Sequence, residues 1–150
     1  MIYADTNFFT NTLVDMSHRN EAETLLFECP ERLIVTWLHR LEVVNALQQC
    51  VFMTRQGMQQ LRVTPELAAA AETRFFDEVD LGLRYHHSTI SPESVEAIFQ
   101  DLSHRHTAKE GFRTYDILHV ASALVLGCDT FWSFDAKAKK LAKLEGLAVN

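Results

Sequence analysis

Glycine, proline and cysteine are scarce in this chain, which has five, three and three of them in 150 residues. The glycines form neither a Gly-x-Gly-x-x-Gly nor a Walker pattern, so nucleotide hydrolysis by a phosphate-binding loop is excluded. Cys29, Cys50 and Cys128 are scattered without a Cys-x-x-Cys pair, which indicates neither a disulfide framework nor a zinc ribbon. The chemistry of the protein must therefore come from other side chains.

Long apolar runs and excess positive charge are also missing. No apolar stretch approaches the roughly 20 residues that span a bilayer, and Asp5 interrupts the N-terminus before a signal-peptide apolar region could form. The formal net charge of −6 argues against bulk electrostatic attraction to nucleic acid, so any such contact must be local. We expect one soluble, cytoplasmic domain over residues 1–150, without membrane contact.

The hydrophobic content of 47% is enough for a packed core, and its periodicity predicts alternating strands and helices. The predicted strands are 1–4, 33–36, 83–89, 129–134 and 147–149, and the predicted helices are 17–28, 37–54, 65–80, 92–105, 115–126 and 136–144. Such alternation implies right-handed crossovers and a central parallel sheet covered by helices on both faces. The predicted fold class is therefore α/β, as a three-layer α/β/α sandwich.

Four acids stand where this fold would bring them together. Asp5 and Asp135 each follow a predicted strand, and the carboxyl ends of parallel strands meet at one crevice. Asp116 begins a helix that is apolar nearly all round, so it should face the interior or a cleft. Glu42 lies among apolar residues of another helix. Each acid also has an ordinary alternative as a helix cap, a first-turn charge or part of an exposed stripe.

A cluster of carboxylates needs compensation. Two unit charges about 4 Å apart repel by about 4 kcal/mol at an effective dielectric of 20. Raised pKa values or a bound cation would relieve this, and all-oxygen ligands suit Mg²⁺ or Mn²⁺ better than zinc. The pairs His86–His87 and His104 with His106 lack convincing zinc spacing, because such neighbours do not share a helix face.

Two further features near the acids have two interpretations each. Lys137, Lys139, Lys140 and Lys143 could form a local contact for nucleic acid, or simply the solvated face of an amphipathic helix. His119 stands three residues after Asp116 on the same helix face. It could orient that acid or approach a substrate, or it could be a hydrogen-bonded core histidine.

Four segments resemble the motifs of the PIN domain family, and within it the small ribonuclease toxins of bacterial toxin–antitoxin pairs, often called VapC. These segments are Ile2-Tyr3-Ala4-Asp5-Thr6-Asn7, Leu41-Glu42-Val43-Val44-Asn45-Ala46-Leu47, Tyr115-Asp116-Ile117-Leu118-His119-Val120-Ala121-Ser122-Ala123-Leu124 and Ser133-Phe134-Asp135. The resemblance implies a Rossmann-like sandwich and cleavage of RNA with Mg²⁺ or Mn²⁺, leaving 5′-phosphate and 3′-hydroxyl ends. By motif position, Asp5, Glu42, Asp116 and Asp135 match the family's four acids, which hold the metal and carry catalysis.

The resemblance also implies supporting residues. Asn7 matches the asparagine of the opening motif, and Ser133 matches the Thr or Ser that stands two positions before the last acid. We expect both to fix carboxylate rotamers by hydrogen bonds. The family usually has Arg where this chain has Phe134. Lys137 and its neighbouring lysines could supply the polar support or phosphate contact that this Arg would make. His119 and Lys137 are thus candidates for substrate contact.

Partners are implied in the same way. A cognate antitoxin should mask the cleft of a toxin, and family members commonly form homodimers. The apolar region from Trp37 to Leu61, with Phe75 and Phe76, could serve such an interface or belong to the core. Two other functions stay open: a catalytically silent scaffold that binds RNA or protein, and a PIN nuclease of RNA processing. A haloacid-dehalogenase-like phosphatase is disfavoured, because it needs an acid where Asn7 stands.

Overall fold

The computed structural model describes residues 1–58 and 62–150. The chain divides into two compact units, which we call the terminal unit, Met1–Asp5 with Thr89–Asn150, and the middle unit, Thr6–Ser88. The prediction of one domain over residues 1–150 stays a prediction. The elements in chain order are β1 Ile2–Ala4, α1 Thr6–Leu13, α2 Arg19–Glu28, β2 Leu33–Val35, α3 Trp37–Arg55, α4 Pro65–Asp80, β3 Tyr85–His87, α5 Pro92–Leu102, a π-helix Ser103–Thr107, α6 Ala108–Glu110, α7 Thr114–Val125, β4 Thr130–Trp132, α8 Ala136–Leu144 and β5 Ala148–Val149.

The terminal unit contains a parallel sheet in the order β1-β4-β5. Ala4 pairs with Trp132, and the backbone N–H of Asp5 donates to the carbonyl of Trp132 at 2.9 Å. The carboxyl ends of β1 and β4 therefore lie side by side. This places the residues that follow them, Asp5 and Ser133, at the same edge of the sheet.

Helices α7 and α8 of the terminal unit differ in how much of their surface is buried. Seven residues of α7 are buried, which confirms that this apolar helix belongs to the interior. Helix α8 buries Ala138, Leu141 and Ala142 and exposes Lys137 and Lys140, as expected for a helix at the surface.

The middle unit has its own parallel pair, β2 with β3, in which Leu33 pairs with Tyr85. Its core is aromatic: the ring of Phe9 meets those of His39, Phe75 and Tyr85 edge-on, with centroids 5.2, 5.7 and 5.1 Å apart. Edge-to-face contacts of this kind add to the stabilisation from burial. Phe9 lies on α1, so the core of the unit is built around this helix.

Helix α1 is the main difference from the prediction, which assigned no element between residues 5 and 16. Its sequence, TNFFTNTL, is rich in Thr and Asn, which are weak helix formers. Seven of its eight residues are nevertheless buried. Tertiary burial around Phe8 and Phe9 therefore overrides local propensity, which a sequence pattern alone does not reveal.

The predicted helix 92–105 also differs in its last turns. The α-helical part ends at Leu102, and the chain continues as a π-helix and then α6 up to Gly111. Gly111 has a φ of 66°, the left-handed conformation that ends helices and favours glycine. Within the described ranges, no helix is both long and apolar enough to cross a bilayer.

Candidate active site

Asp5 is held by a serine hydroxyl. Only 5% of Asp5 is exposed, and Ser133 Oγ donates to its Oδ2 at 2.5 Å. The same Oγ accepts from the backbone N–H of Asp135 at 2.8 Å. A single, fully buried hydroxyl thus joins the acid after β1 to the backbone of the acid after β4.

Asp116 lies in the first turn of α7, where it has a capping role. Its Oδ2 accepts from the backbone N–H of Arg113, the N-cap residue, at 3.0 Å. The carboxylate is buried, and its charge also suits the positive end of the helix dipole. The ordinary alternative considered for this acid is therefore present in the structure.

Asp135 caps α8 with one of its two oxygens. Its Oδ1 accepts from the backbone N–H groups of Lys137 and Ala138 at 2.8 and 3.2 Å. Such an N-cap stabilises a helix by about 1 kcal/mol. The other oxygen, Oδ2, accepts from a different partner and takes no part in the cap.

That partner is Arg113, a residue that the sequence analysis did not single out. Its Nη2 donates to Asp116 Oδ1 at 2.9 Å and to Asp135 Oδ2 at 2.6 Å, while its Nε donates to Asp116 Oδ2 at 3.0 Å. Because one nitrogen contacts both acids, the two carboxylates lie close together. The i,i+3 spacing of Arg113 and Asp116 at a helix start was the signal that could have found it.

The charges in this cluster shift two pKa values. Burial alone would raise the pKa of Asp135, but the Ala138 N–H, the Arg113 guanidinium and the Lys137 N–H outweigh it and hold the pKa below its ordinary value. The hydrogen bonds to Asp116 and then Asp135 raise the pKa of Arg113 further above its ordinary value. Asp135 is therefore ionised, and Arg113 is cationic, at neutral pH.

Glu42 and Asn7 belong to the middle unit. Glu42 is half-buried, and Thr6 Oγ1 donates to its Oε2 at 2.7 Å. Asn7 is exposed, and both its carbonyl oxygen and its Oδ1 accept from Asn11 Nδ2, at 2.9 and 3.3 Å. The roles predicted for Glu42 as an acid of the site and for Asn7 as its support stay predictions.

The two candidates for substrate contact differ in exposure. His119 is 4% exposed, and its Nδ1 lies 2.9 Å from the hydroxyl of Tyr3. This is the geometry of a hydrogen-bonded core histidine. Lys137 is exposed at the surface, where its Nζ donates to the carbonyl of Gly111 at 2.8 Å.

The model of the PIN domain matches residues 2–144, nearly the whole chain. The chain belongs to the PIN domain family. This confirms the family predicted from the four motif segments and the α/β class with a parallel sheet. Among the curated proteins, none matches this PIN domain.

Three solved structures share the fold of this PIN domain. Mycobacterium tuberculosis VapC20, described as a sarcin-ricin loop cleaving toxin, has a TM-score of 0.66 and 17% identity over 93% of this chain and 94% of that one. FitAcB from Neisseria gonorrhoeae has a TM-score of 0.64 and 16% identity over 99% and 96%. Rickettsia felis VapBC2, bound to a DNA fragment from their promoter, has a TM-score of 0.60 and 15% identity over 100% and 98%. Identities this low show the fold alone.

A divalent cation fits this PIN domain by ligand chemistry, because Asp5, Asp116 and Asp135 offer only oxygen. In the arrangement described, however, the cation between Asp116 and Asp135 is the guanidinium of Arg113. Across residues 1–58 and 62–150, no group of three or more His, Cys, Asp or Glu side chains is placed to hold a metal ion. The ligand chemistry of the three acids therefore suits a divalent cation, but their described arrangement does not hold one, and Arg113 engages two of the three carboxylates.

Proposed function

We propose that this PIN domain is an endoribonuclease that cleaves RNA with Mg²⁺ or Mn²⁺, and that it is the toxin of a bacterial toxin–antitoxin pair. The observation that carries the proposal is the linkage of three motif acids within the terminal unit. Ser133 joins Asp5 to the backbone of Asp135, and Arg113 joins Asp135 to Asp116. The PIN and VapC families are nucleases, and PIN nucleases generally use divalent metals.

The acids of the terminal unit would hold the cation, with Glu42 as the fourth acid by its match to the family motif. When bound, the metal would supply a water of lowered pKa and neutralise charge on the phosphate. Ser133 fixes the rotamer of Asp5, because its hydroxyl is itself held by the Asp135 N–H. Asn7 would support the site from the opening motif.

Substrate contact would be local, because the chain has a net charge of −6. Lys137 suits this role, since it is exposed two residues after Asp135. His119 is buried against Tyr3, which supports a structural role for it instead.

The toxin assignment takes its support from the related structures. VapC20 is described as a toxin that cleaves the sarcin-ricin loop, and the Rickettsia structure contains VapBC2 with promoter DNA. By analogy, we propose an RNA substrate, a cognate antitoxin protein, homodimerisation and a cytoplasmic location for this chain.

Leu41 and Phe52 are 66% and 54% exposed on α3, which suits a protein interface, whereas Phe75 is fully buried and belongs to the core. Leu61, predicted in the same region, lies outside the described residues.

The test is cleavage of a single-stranded RNA by the purified protein with Mn²⁺, with and without EDTA. Asp116→Asn should lower the rate by about a hundredfold or more, because it removes a carboxylate that the metal requires. Asp101→Asn is the matched control, since Asp101 is an exposed acid of the same unit that also pairs with an arginine, Arg105. It should cleave at the wild-type rate.

A folded Asp116→Asn protein with wild-type activity would overturn the assignment, and wild-type cleavage that survives EDTA would overturn the metal requirement. The scaffold alternative predicts RNA binding without cleavage in the wild-type protein. An RNA-processing nuclease would cleave as proposed, but its induction in cells would not arrest growth.

A further inference from the structure

We propose that Arg113 is a resident counter-cation that competes with the divalent metal for Asp116 and Asp135, so that metal binds only when its guanidinium moves away. The inference rests on the proposed function, because it concerns how the same acids are regulated. It assigns a role to a residue that lies outside the four acids and their supporting Asn7 and Ser133.

Arg113 engages three of the four carboxylate oxygens of Asp116 and Asp135. Its guanidinium reaches both oxygens of Asp116 and one oxygen of Asp135, with contacts of 2.6–3.0 Å. The remaining oxygen of Asp135 already accepts two backbone N–H groups of α8. All four carboxylate oxygens of this pair are therefore engaged by the protein itself.

A divalent metal and this guanidinium cannot share the same oxygens. Mg²⁺ needs its oxygen ligands at about 2.0–2.1 Å in near-octahedral directions, whereas the planar guanidinium places N–H donors 2.6–3.0 Å from the same oxygens. Two cations that close together would also repel strongly. Binding of the metal to Asp116 and Asp135 therefore requires the Arg113 side chain to leave.

The Arg113 side chain can leave Asp116 and Asp135 without disturbing the fold. The side chain of Arg113 is 60% exposed, while that of Asp116 is only 6% exposed. The backbone N–H of Arg113 makes its own hydrogen bond to Asp116, which does not involve the guanidinium and can remain when the side chain rotates into solvent. The helix cap and the charge compensation thus depend on separate atoms of one residue.

The consequence is a site that is charge-compensated before metal arrives. Two close carboxylates would otherwise repel each other, and Arg113 offsets this repulsion in the metal-free protein. The same contacts must be broken when metal binds, so they lower the apparent metal affinity. Removing the guanidinium should therefore destabilise the metal-free protein and tighten metal binding.

The test compares Arg113→Gln with Lys137→Gln by calorimetric titration of Mn²⁺ and by thermal unfolding with and without metal. Lys137 is the matched control: it carries the same charge two residues from Asp135, but its Nζ donates to the Gly111 carbonyl and not to either acid. Arg113→Gln should bind Mn²⁺ about tenfold more tightly than wild type, which corresponds to about 1.4 kcal/mol. Lys137→Gln should stay within about twofold, because its exposed charge is screened.

Thermal unfolding supplies a second readout. In EDTA, Arg113→Gln should melt at a lower temperature than wild type, and saturating Mn²⁺ should raise its melting temperature by more than that of wild type. Arg113→Lys keeps the charge but loses the two-pronged geometry, so its Mn²⁺ affinity should lie between those of wild type and Arg113→Gln. This variant also keeps the test valid if Arg113→Gln folds poorly.

The proposed competition between Arg113 and the metal is wrong if Arg113→Gln binds Mn²⁺ no more tightly than wild type. It is also wrong if Lys137→Gln gains as much Mn²⁺ affinity as Arg113→Gln. It is also overturned if neither wild type nor Arg113→Gln binds Mn²⁺. The proposed function is tested separately by cleavage with Asp116→Asn. If Arg113→Gln gains no Mn²⁺ affinity but the wild-type protein cleaves RNA with Mn²⁺, the competition proposal is wrong and the nuclease proposal remains.

Discussion

Ser133→Ala offers a sharp test of how the acidic site is organised. The Ser133 hydroxyl is fully buried, donates to Asp5 at 2.5 Å and accepts from the Asp135 N–H at 2.8 Å. A buried hydrogen bond to a charged group contributes about 1.5–3 kcal/mol, so the substitution should destabilise the protein by about 2 kcal/mol. For a chain of this length, that corresponds to a fall in melting temperature of about 4–8 °C.

Ser122→Ala is the matched control for this prediction. Ser122 is also fully buried in the terminal unit, but its hydroxyl donates to a neutral acceptor, the Leu118 carbonyl one turn earlier in α7. That carbonyl already belongs to the helix, so removing the hydroxyl should change stability by less than about 0.5 kcal/mol. Urea unfolding followed by circular dichroism measures both variants under one condition.

The two serine variants should also differ in activity. Ser133→Ala should lower Mn²⁺-dependent cleavage by about 10–100-fold, because the Asp5 carboxylate loses the donor that orients it. Ser122→Ala should not affect cleavage. Equal losses of stability in the two variants would refute the special role of Ser133, as would wild-type cleavage by a folded Ser133→Ala protein.

Two further predictions concern the same unit. The folded-state pKa of Asp135 lies below its ordinary value of 3.8, so Asp135 stabilises the fold above that pH, and this contribution is lost as pH falls through the folded pKa. Asp135→Asn keeps a capping oxygen but has no carboxylate to protonate. Its free energy of unfolding should therefore depend less on pH below about 4 than that of wild type. The same change in unfolding free energy for both proteins between about pH 3 and 6, measured with urea, would contradict this. Tyr3→Phe removes the hydroxyl bonded to His119 but keeps the ring stacked on Phe131, so it should cost about 1 kcal/mol in unfolding free energy. An unchanged unfolding free energy would show that this bond adds no net stability.

The sequence predicts the sheet edge of the terminal unit well, because its strands carry local signals and the alternation of strands and helices predicts a parallel sheet. The apolar runs before Asp5 and Asp135 have the composition of strands, and parallel pairing brings their ends together, although β4 ends at Trp132, two residues earlier than predicted. The all-round apolar character of α7 likewise predicts its burial. The apolar patterns that define these elements are local, and tertiary structure does not override them.

What the sequence does not predict depends on long-range contacts. Helix α1 forms despite weak propensity, because its phenylalanines are buried in the core of the middle unit. Arg113 reaches Asp135 across 22 positions of sequence, a contact that no local pattern encodes. One acid can also cap a helix and take part in a site at the same time. Asp135 uses one oxygen for its cap and the other for Arg113.

The central claim is that the acids of the terminal unit bind a divalent cation, and anomalous scattering from crystals soaked in Mn²⁺ tests it most directly. We expect one or more manganese peaks about 2.0–2.3 Å from carboxylate oxygens of Asp5, Asp116 or Asp135, with the Arg113 guanidinium displaced. Crystals saturated with Mn²⁺ that show no peak at these acids, with Arg113 still bridging Asp116 and Asp135, would contradict it.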